Sequence, residues 1–325
     1  MPSNLEEQLI QYLTDAHSIE EQALAQLRSA PDAAGQAELA RVFREHLTET
    51  EEHERLVRSR LEAHDAAPSR VKDIAGKVGG FAFILFAKSQ PDTPGKLVAH
   101  AHSYEALELA AYELLERAAE RAGDQDTVAT ARQIADQERA MRDRLAERFD
   151  LAVDAALAEK DGSRDLKEDV LKYLADAHAL EAQAIQLLER GPKIAGESQL
   201  AHLFEEHLEE TRDHAELVEA RLHALDGGPN RLKDAVMRLG ALNWGAFFQA
   251  QPDTPGKLAG FAFAFEHLEI AGYELLKRVA QRAGDTTTAE LAESIAGEER
   301  VAAGKIASAF DGAIEASLQA QGVLA

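Results

Sequence analysis

Six side chains in the first half of the sequence carry donor atoms suited to a shared cation: Glu20, His46, Glu49, Glu105, Glu108 and Glu138. Each recurs 161 positions later, as Glu181, His207, Glu210, Glu266, Glu269 and Glu299. His46/Glu49 and Glu105/Glu108 are three residues apart, which on a helix sets their Cβ atoms ~5–6 Å apart and lets both serve one centre. Carboxylates and imidazoles suit hard or borderline cations, iron first and manganese next. The carboxylate charge offsets two divalent ions in each half. There is no cysteine, which excludes disulfides, thiolate clusters and thiol catalysis and makes a purely structural zinc site unnatural. His17 and His178 stand one turn from Glu20 and Glu181 and read as outer hydrogen-bond partners. His53 and His214 read as outer partners, or as ligands on rearrangement. The competing reading of the same residues is a buried polar network without metal, or stripes turned toward water.

Helices must position these groups. Apolar residues recur at intervals of three and four, Ala, Leu, Glu, Arg and Gln dominate, and period-two alternation is nearly absent, so the fold class is all-α. The pattern predicts helix A near 4–29, B near 36–64, C near 95–122 and D near 125–158. Some thirty residues between B and C carry a short helical pattern of their own through Val71, Ile74, Val78, Phe81 and Ile84. Two short connections and one long one suggest a four-helix bundle with a crossover, in which B and C run parallel; the alternative topology is a plain up-and-down bundle with a decorated loop. The inward stripes are apolar at both ends and acidic or imidazole-bearing in the middle. At ~1.5 Å per residue, Glu20 and His46 lie ~14–15 Å and Glu49 ~20 Å from the A–B turn. Glu138, Glu108 and Glu105 lie ~21–28 Å from the C–D turn, so a bundle ~40 Å tall brings all six into one layer. The same arithmetic sets His53 ~6 Å beyond Glu49.

The offset of 161 holds through nearly the whole length without insertion, and Gln90 to Leu97 returns unchanged as Gln251 to Leu258. The chain is therefore expected to be two copies of one domain, 1–161 and 162–325, joined at Asp161-Gly162-Ser163. A formal charge of -23 disfavours nucleic acid and anionic membrane as partners and draws in cations. The longest apolar run, Phe81 to Ala87, is far short of the ~20 residues of a spanning helix. Without a basic stretch leading into an apolar one at the N-terminus, the expectation is a cytoplasmic protein. No nucleophile triad or nucleotide fingerprint appears.

The segments SIEEQ, EHLTET and YEALELAAYELL resemble the YciF-type ferritin-like domains of bacterial stress proteins. The matching residues are Glu20 and Gln22, His46, Glu49 and Thr50, Glu105, Glu108 and Tyr112, and Glu138. The second half matches more fully, with Glu266-His267-Leu268-Glu269 and Glu298-Glu299, where the first half has Ala106 and Gln137. The resemblance implies two tandem ferritin-like four-helix bundles, each with a dinuclear carboxylate site. Ferroxidase or oxidase chemistry with dioxygen or hydrogen peroxide in stress defence is the expectation. The other expectation is a non-catalytic helical stress or interaction protein that keeps the fold.

Equal domains on a short joint are held at an effective concentration of ~mM or above, and isologous pairing is the commonest arrangement of identical subunits. The halves are therefore expected to pack as an intramolecular pseudo-dimer, with the apolar segments Phe81 to Phe86 and Trp244 to Phe248 as interface. Expressed as separate chains, 1–161 and 162–325 should associate by analytical ultracentrifugation, and Phe83→Glu should weaken the pair. Two non-associating monomers would leave a plain string of two bundles.

Overall fold

The computed structural model describes residues 4–69, 93–158, 165–196, 198–228 and 254–323. Phe81 to Phe86, Trp244 to Phe248, the short helical pattern after helix B and the 161–163 joint lie outside them. The chain divides into two compact units, Pro2–Gly162 and Ser163–Ala325. All regular structure among the described residues is helical.

In the first unit the helices are α1 (Leu5–Leu27), α2 (Ala30–Ala33), α3 (Ala37–Ala63), α4 (Thr93–Ala122), α5 (Gln125–Ala146) and α6 (Phe149–Ala158). In the second they are α7 (Leu166–Ala195), α8 (Gln199–Ala224), α9 (Thr254–Ala283), α10 (Thr286–Ser308) and α11 (Phe310–Ala320). Side-chain caps fix several starts. Asn4 accepts from Glu7 N at 2.9 Å and Asp124 from Thr127 N at 3.1 Å, each satisfying a donor the first turn leaves open. Asp285 repeats the Asp124 cap on Thr288 N at 3.0 Å.

Two departures from the predicted helices are informative. Helix D is not one rod from 125 to 158 but is broken at Glu147–Arg148. The break lays the apolar face of α6 (Phe149, Ala152, Val153, Ala156) onto α4, where Phe149 meets the His102 ring with centroids 5.4 Å apart. Helix A stops at Leu27 and restarts as α2, whereas α7 runs through the matching point despite Pro192. Ser29 accounts for part of this, since its hydroxyl donates to Gln26 O and offers the backbone an alternative to the helix.

Within each unit the helices pair as two hairpins, α1 with α3 and α4 with α5, then α7 with α8 and α9 with α10. The hairpins meet through α1 on α4 and α7 on α9. In the first unit, Arg60 and His64 at the end of α3 reach Asp124 at the start of α5, at 2.9 and 2.8 Å. At the opposite end, Arg148 approaches Glu38 at 3.4 Å, and Gly35 lies against Pro94 so closely that a Cβ there would meet its ring at 2.7 Å. Gly35 also has φ +70, so this turn admits little else. The α1–α3 turn and the α4–α5 turn are thus at opposite ends, and α3 runs parallel to α4.

Asp124 does more than cap. It ties the far end of α3 to the α4–α5 turn and so sets the stagger of the two hairpins. The bonds to Thr127, His64 and Arg60 hold its carboxyl well below the ordinary aspartate value of 3.8, although burial works the other way. A depressed carboxyl stabilises fully above its unfolded value and loses that contribution as the pH falls below it. Asp124→Ala should cost ~1–2 kcal/mol through the lost cap and partners, read as a lower Tm of the first unit. The difference from the parent should shrink as the pH is taken below ~4. A pH-independent difference would mean that the charge is not what matters there.

Candidate metal centre

The inward face of α3 is His46, Thr50, His53, Val57 and Leu61, all buried. At about 100° per residue, steps of four and three keep these on one line, and Glu49 falls at its edge. His46 and His53 both enter the bundle, their rings 6.5 Å apart. Facing them are Glu20 from α1, Glu105 and Glu108 from α4, and Glu138 from α5, all buried. Height alone sets His53 a turn beyond the layer. Helical side chains lean toward the helix N-terminus, however, and His53 reaches back into it.

Two groups form, and they share one residue. His53 Nδ1 lies 2.8 Å from Glu138 Oε1 and 3.9 Å from Glu20 Oε1. His46 Nε2 lies 3.0 Å from Glu105 Oε2 and 3.6 Å from Glu138 Oε2. The donor atoms of Glu20, His53 and Glu138, and those of His46, Glu105, Glu108 and Glu138, converge closely enough to hold one ion each. Glu138 belongs to both, one oxygen toward each imidazole. In the second unit the groups are Glu181, His214 and Glu299, and His207, Glu266 and Glu299. His214 Nδ1 lies 2.9 Å from Glu299 Oε1, and His207 Nε2 lies 3.0 Å from Glu266 and 3.3 Å from Glu299.

The outer nitrogens of the imidazoles are all engaged. His46 Nδ1 lies 3.0 Å from Glu49 Oε2, and His207 Nδ1 lies 2.9 Å from Glu210 Oε2. His53 Nε2 meets Gln137 Oε1 at 3.0 Å, and His214 Nε2 meets Glu298 Oε2 at 3.0 Å. With one ring proton donated outward, the inward nitrogen is the one that would bind an ion, once its own proton is displaced. Glu49 and Glu210 are accordingly not among the converging donors. They are part-exposed, and Arg144 binds Glu49 at 2.6 Å while Lys305 approaches Glu210 at 3.8 Å. Tyr112 and Tyr273 donate to Oε1 of Glu20 and Glu181, and Oε2 of each has no hydrogen bond.

His17 does not meet Glu20. It is buried against Glu54 at 2.7 Å, and Arg58 also holds that carboxylate. Glu21 completes a small cluster there. Its counterparts are Ala182 and Ala215, so His178 lacks both acidic neighbours and is only part-buried.

The electrostatics fit a cation. Both oxygens of Glu108, Glu138, Glu269 and Glu299, one oxygen each of Glu20 and Glu181, and Nδ1 of His53 and His214 are buried without a hydrogen bond. Buried polar atoms of this kind cost on the order of 1–3 kcal/mol apiece unless something satisfies them. Burial, with neighbouring carboxylates, pushes Glu20 and Glu181 up to about 8 and Glu108 and Glu269 well above the usual range. Burial alone would lower the imidazoles, but the carboxylates around them raise His46, lift His207 to about 12 and lift His214 to about 9. In each unit four inward carboxylates would be balanced by two divalent ions. Buried His/Glu groups here are compatible with metal, and their chemistry is oxygen- and imidazole-rich.

A family model described as Domain of unknown function (DUF892) matches residues 4–158 and again residues 165–319. The chain belongs to this family, the YciF-like ferritin-like family, in two tandem copies. No solved structure matches the chain.

The outer partner of the second imidazole differs in charge between the two centres: an amide, Gln137, against a carboxylate, Glu298. A carboxylate strengthens an imidazole as a ligand, and changing such partners typically alters metal affinity ~10–100-fold. In competition titrations, Gln137→Glu should tighten metal binding in the first unit about tenfold, and Glu298→Gln should weaken it in the second by a similar factor. Unchanged affinities in both would show that these partners only fill space.

Proposed function

We propose that each half of this tandem YciF-like protein holds a pair of divalent metal ions, iron in the first place and manganese as the alternative. Glu20 and His53 would hold one ion, His46, Glu105 and Glu108 the other, and Glu138 would lie between them. Glu181 and His214, then His207 and Glu266, with Glu299 between, would do the same in the second half, where Glu269 is buried with both oxygens unbonded but stands outside the converging group. The observation that carries this reading is the convergence of buried carboxylate and imidazole atoms that have no hydrogen bond of their own. A bound iron pair supplies one-electron redox chemistry toward a small oxidant, dioxygen or hydrogen peroxide, which is the ferroxidase or oxidase activity we assign to a cytoplasmic role in stress defence.

The chain's own part is positional. Tyr112 holds one oxygen of Glu20 by its hydroxyl, and burial keeps that phenol protonated, far above its usual range. Glu49, clamped by Arg144, and Gln137 take the outer protons of His46 and His53. The apolar layers on either side, Leu13, Phe43, Leu115 and Ile134 among them, are fully buried and keep bulk water away.

The second reading, a non-catalytic stress or interaction protein, draws on a different observation: His46 with Glu105 and His53 with Glu138 already lie at ion-pair distance. Metal content separates the two. Protein saturated with ferrous iron should hold about four ions per chain, and Glu20→Ala with Glu138→Ala should remove about half of them. Oxidation of added ferrous iron should exceed the buffer blank and fall to it in Glu138→Ala/Glu299→Ala. A folded, metal-free protein after iron loading would favour the second reading.

Proton linkage gives an independent check. Glu20 and Glu181 at about 8, and His214 at about 9, carry protons at pH 7 that a bound ion must displace. Apparent metal affinity should therefore rise with pH between 6 and 8, about tenfold per pH unit for each proton displaced per ion. Calorimetry in buffers of different ionisation heat would count the protons. Binding with no proton release would contradict the ligand set.

A further inference from the structure

A small cavity opens from the α1–α2 end of the first unit toward its metal-competent cluster. It is about 20 Å³, lined by Gln26, His100, Tyr104 and Phe43 among others, with Glu105 on its wall. A water-sized molecule needs roughly 10–15 Å³. Glu105 is the residue whose Oε2 lies 3.0 Å from His46 Nε2, so a guest here touches the edge of the cluster. The lining is largely apolar, and Gln26, His100 and Tyr104 bring polar groups to it beside Glu105. Gln26 is 7% exposed, and its Nε2 finds no hydrogen-bond partner among the described residues. The Tyr104 hydroxyl donates to Ile19 O at 3.0 Å and keeps its own oxygen as an acceptor. His100 lies beside Tyr104, ring centroids 6.1 Å apart, and its imidazole lines the cavity.

The second unit has none of these three groups. At the offset of 161, Gln26 becomes Leu187, His100 becomes Phe261 and Tyr104 becomes Phe265, while Phe43 and Glu105 persist as Phe204 and Glu266. Phe261 and Phe265 keep the same ring contact, with centroids 6.3 Å apart. The phenylalanine and the clustered carboxylate are thus retained and the hydrogen-bonding capacity is exchanged for hydrocarbon, while the wall itself changes where α7 runs through the α1–α2 break and Ala30 becomes Gly191, packed against Phe204.

We propose that the Gln26–His100–Tyr104 cavity is a binding site, present in the first half alone, for a small hydrogen-bonding molecule of the hydrogen peroxide class. The second half, with leucine and phenylalanines there, admits only apolar diatomics such as dioxygen to its centre. The proposal rests on the metal reading above and adds to it that the two halves differ in which small molecule they accept. A net hydrogen bond contributes about 1 kcal/mol, and 1.4 kcal/mol is tenfold in affinity, so one or two such bonds separate the halves by about tenfold.

The test uses the full chain with one centre disabled at a time, Glu299→Ala to leave the first half and Glu138→Ala to leave the second. Each is loaded with iron, its iron content is measured, and the ferric form is titrated with azide, a slim polar anion, by its absorbance. The ferrous form is titrated with nitric oxide as the apolar probe. Azide should bind the first half about tenfold more tightly than the second, and nitric oxide should bind both alike. Gln26→Leu/His100→Phe/Tyr104→Phe should erase the azide difference. The reciprocal Leu187→Gln/Phe261→His/Phe265→Tyr should create azide affinity in the second half, which keeps the question answerable if the first triple variant folds poorly. Iron in both halves with equal azide dissociation constants would overturn the cavity proposal alone. No iron in either half would overturn the metal reading and the cavity proposal together.

Discussion

Crowding of buried carboxylates at the centre of each bundle is the constraint around which the rest of the structure is arranged. Four carboxylates from three helices are buried there together, and burial of a carboxylate without a partner is among the costliest things a fold can do. Three responses are visible. Glu20 and Glu108 are pushed toward the protonated state, the imidazoles between them are pulled toward the charged state, and several oxygens remain unbonded. A fold selected for stability alone would place leucine at such positions. The carboxylates are kept twice, at corresponding positions in both units, and the buried His/Glu groups they form are compatible with metal.

That constraint explains features that look separate. The parallel run of α3 and α4 is needed because Glu105 and His46 must meet at one height from opposite hairpins. Asp124 and Asp285, with Arg60 and Arg221, fasten the hairpins so that this height is kept. Glu49 with Arg144, and Gln137 or Glu298, sit at the rim and fix the imidazole rings in the orientation the interior requires.

Much of this was legible in residue order. The duplication, the all-helical class, the parallel run of α3 and α4 and the buried height of Glu20, His46, Glu105, Glu108 and Glu138 follow from spacing and the rise of a helix. Three things were not. The inward line of α3 passes through His46, Thr50 and His53, and Glu49 beside it looks equally well placed until side-chain lean and the Arg144 contact are seen. The bend at Glu147–Arg148 leaves no proline or glycine behind, because tertiary packing of Phe149 on α4 decides it. The cavity by Tyr104 is a property of volume among four elements, and one-dimensional spacing carries no volume. The tyrosine-to-phenylalanine and histidine-to-phenylalanine exchanges read alone as ordinary core variation.

The covalent joining of the two units has a consequence for inheritance. In a homodimer every substitution appears in both subunits at once, so a change that helps one site and harms the other is removed. Here Tyr104 and Phe265 are encoded separately and always produced in a one-to-one ratio. Each half can drift under its own selection while the other preserves the ancestral task. The differences at Gln137, Ala106 and Ala215 against Glu298, His267 and Glu54 show that the two copies are free to differ around a shared set of buried carboxylates.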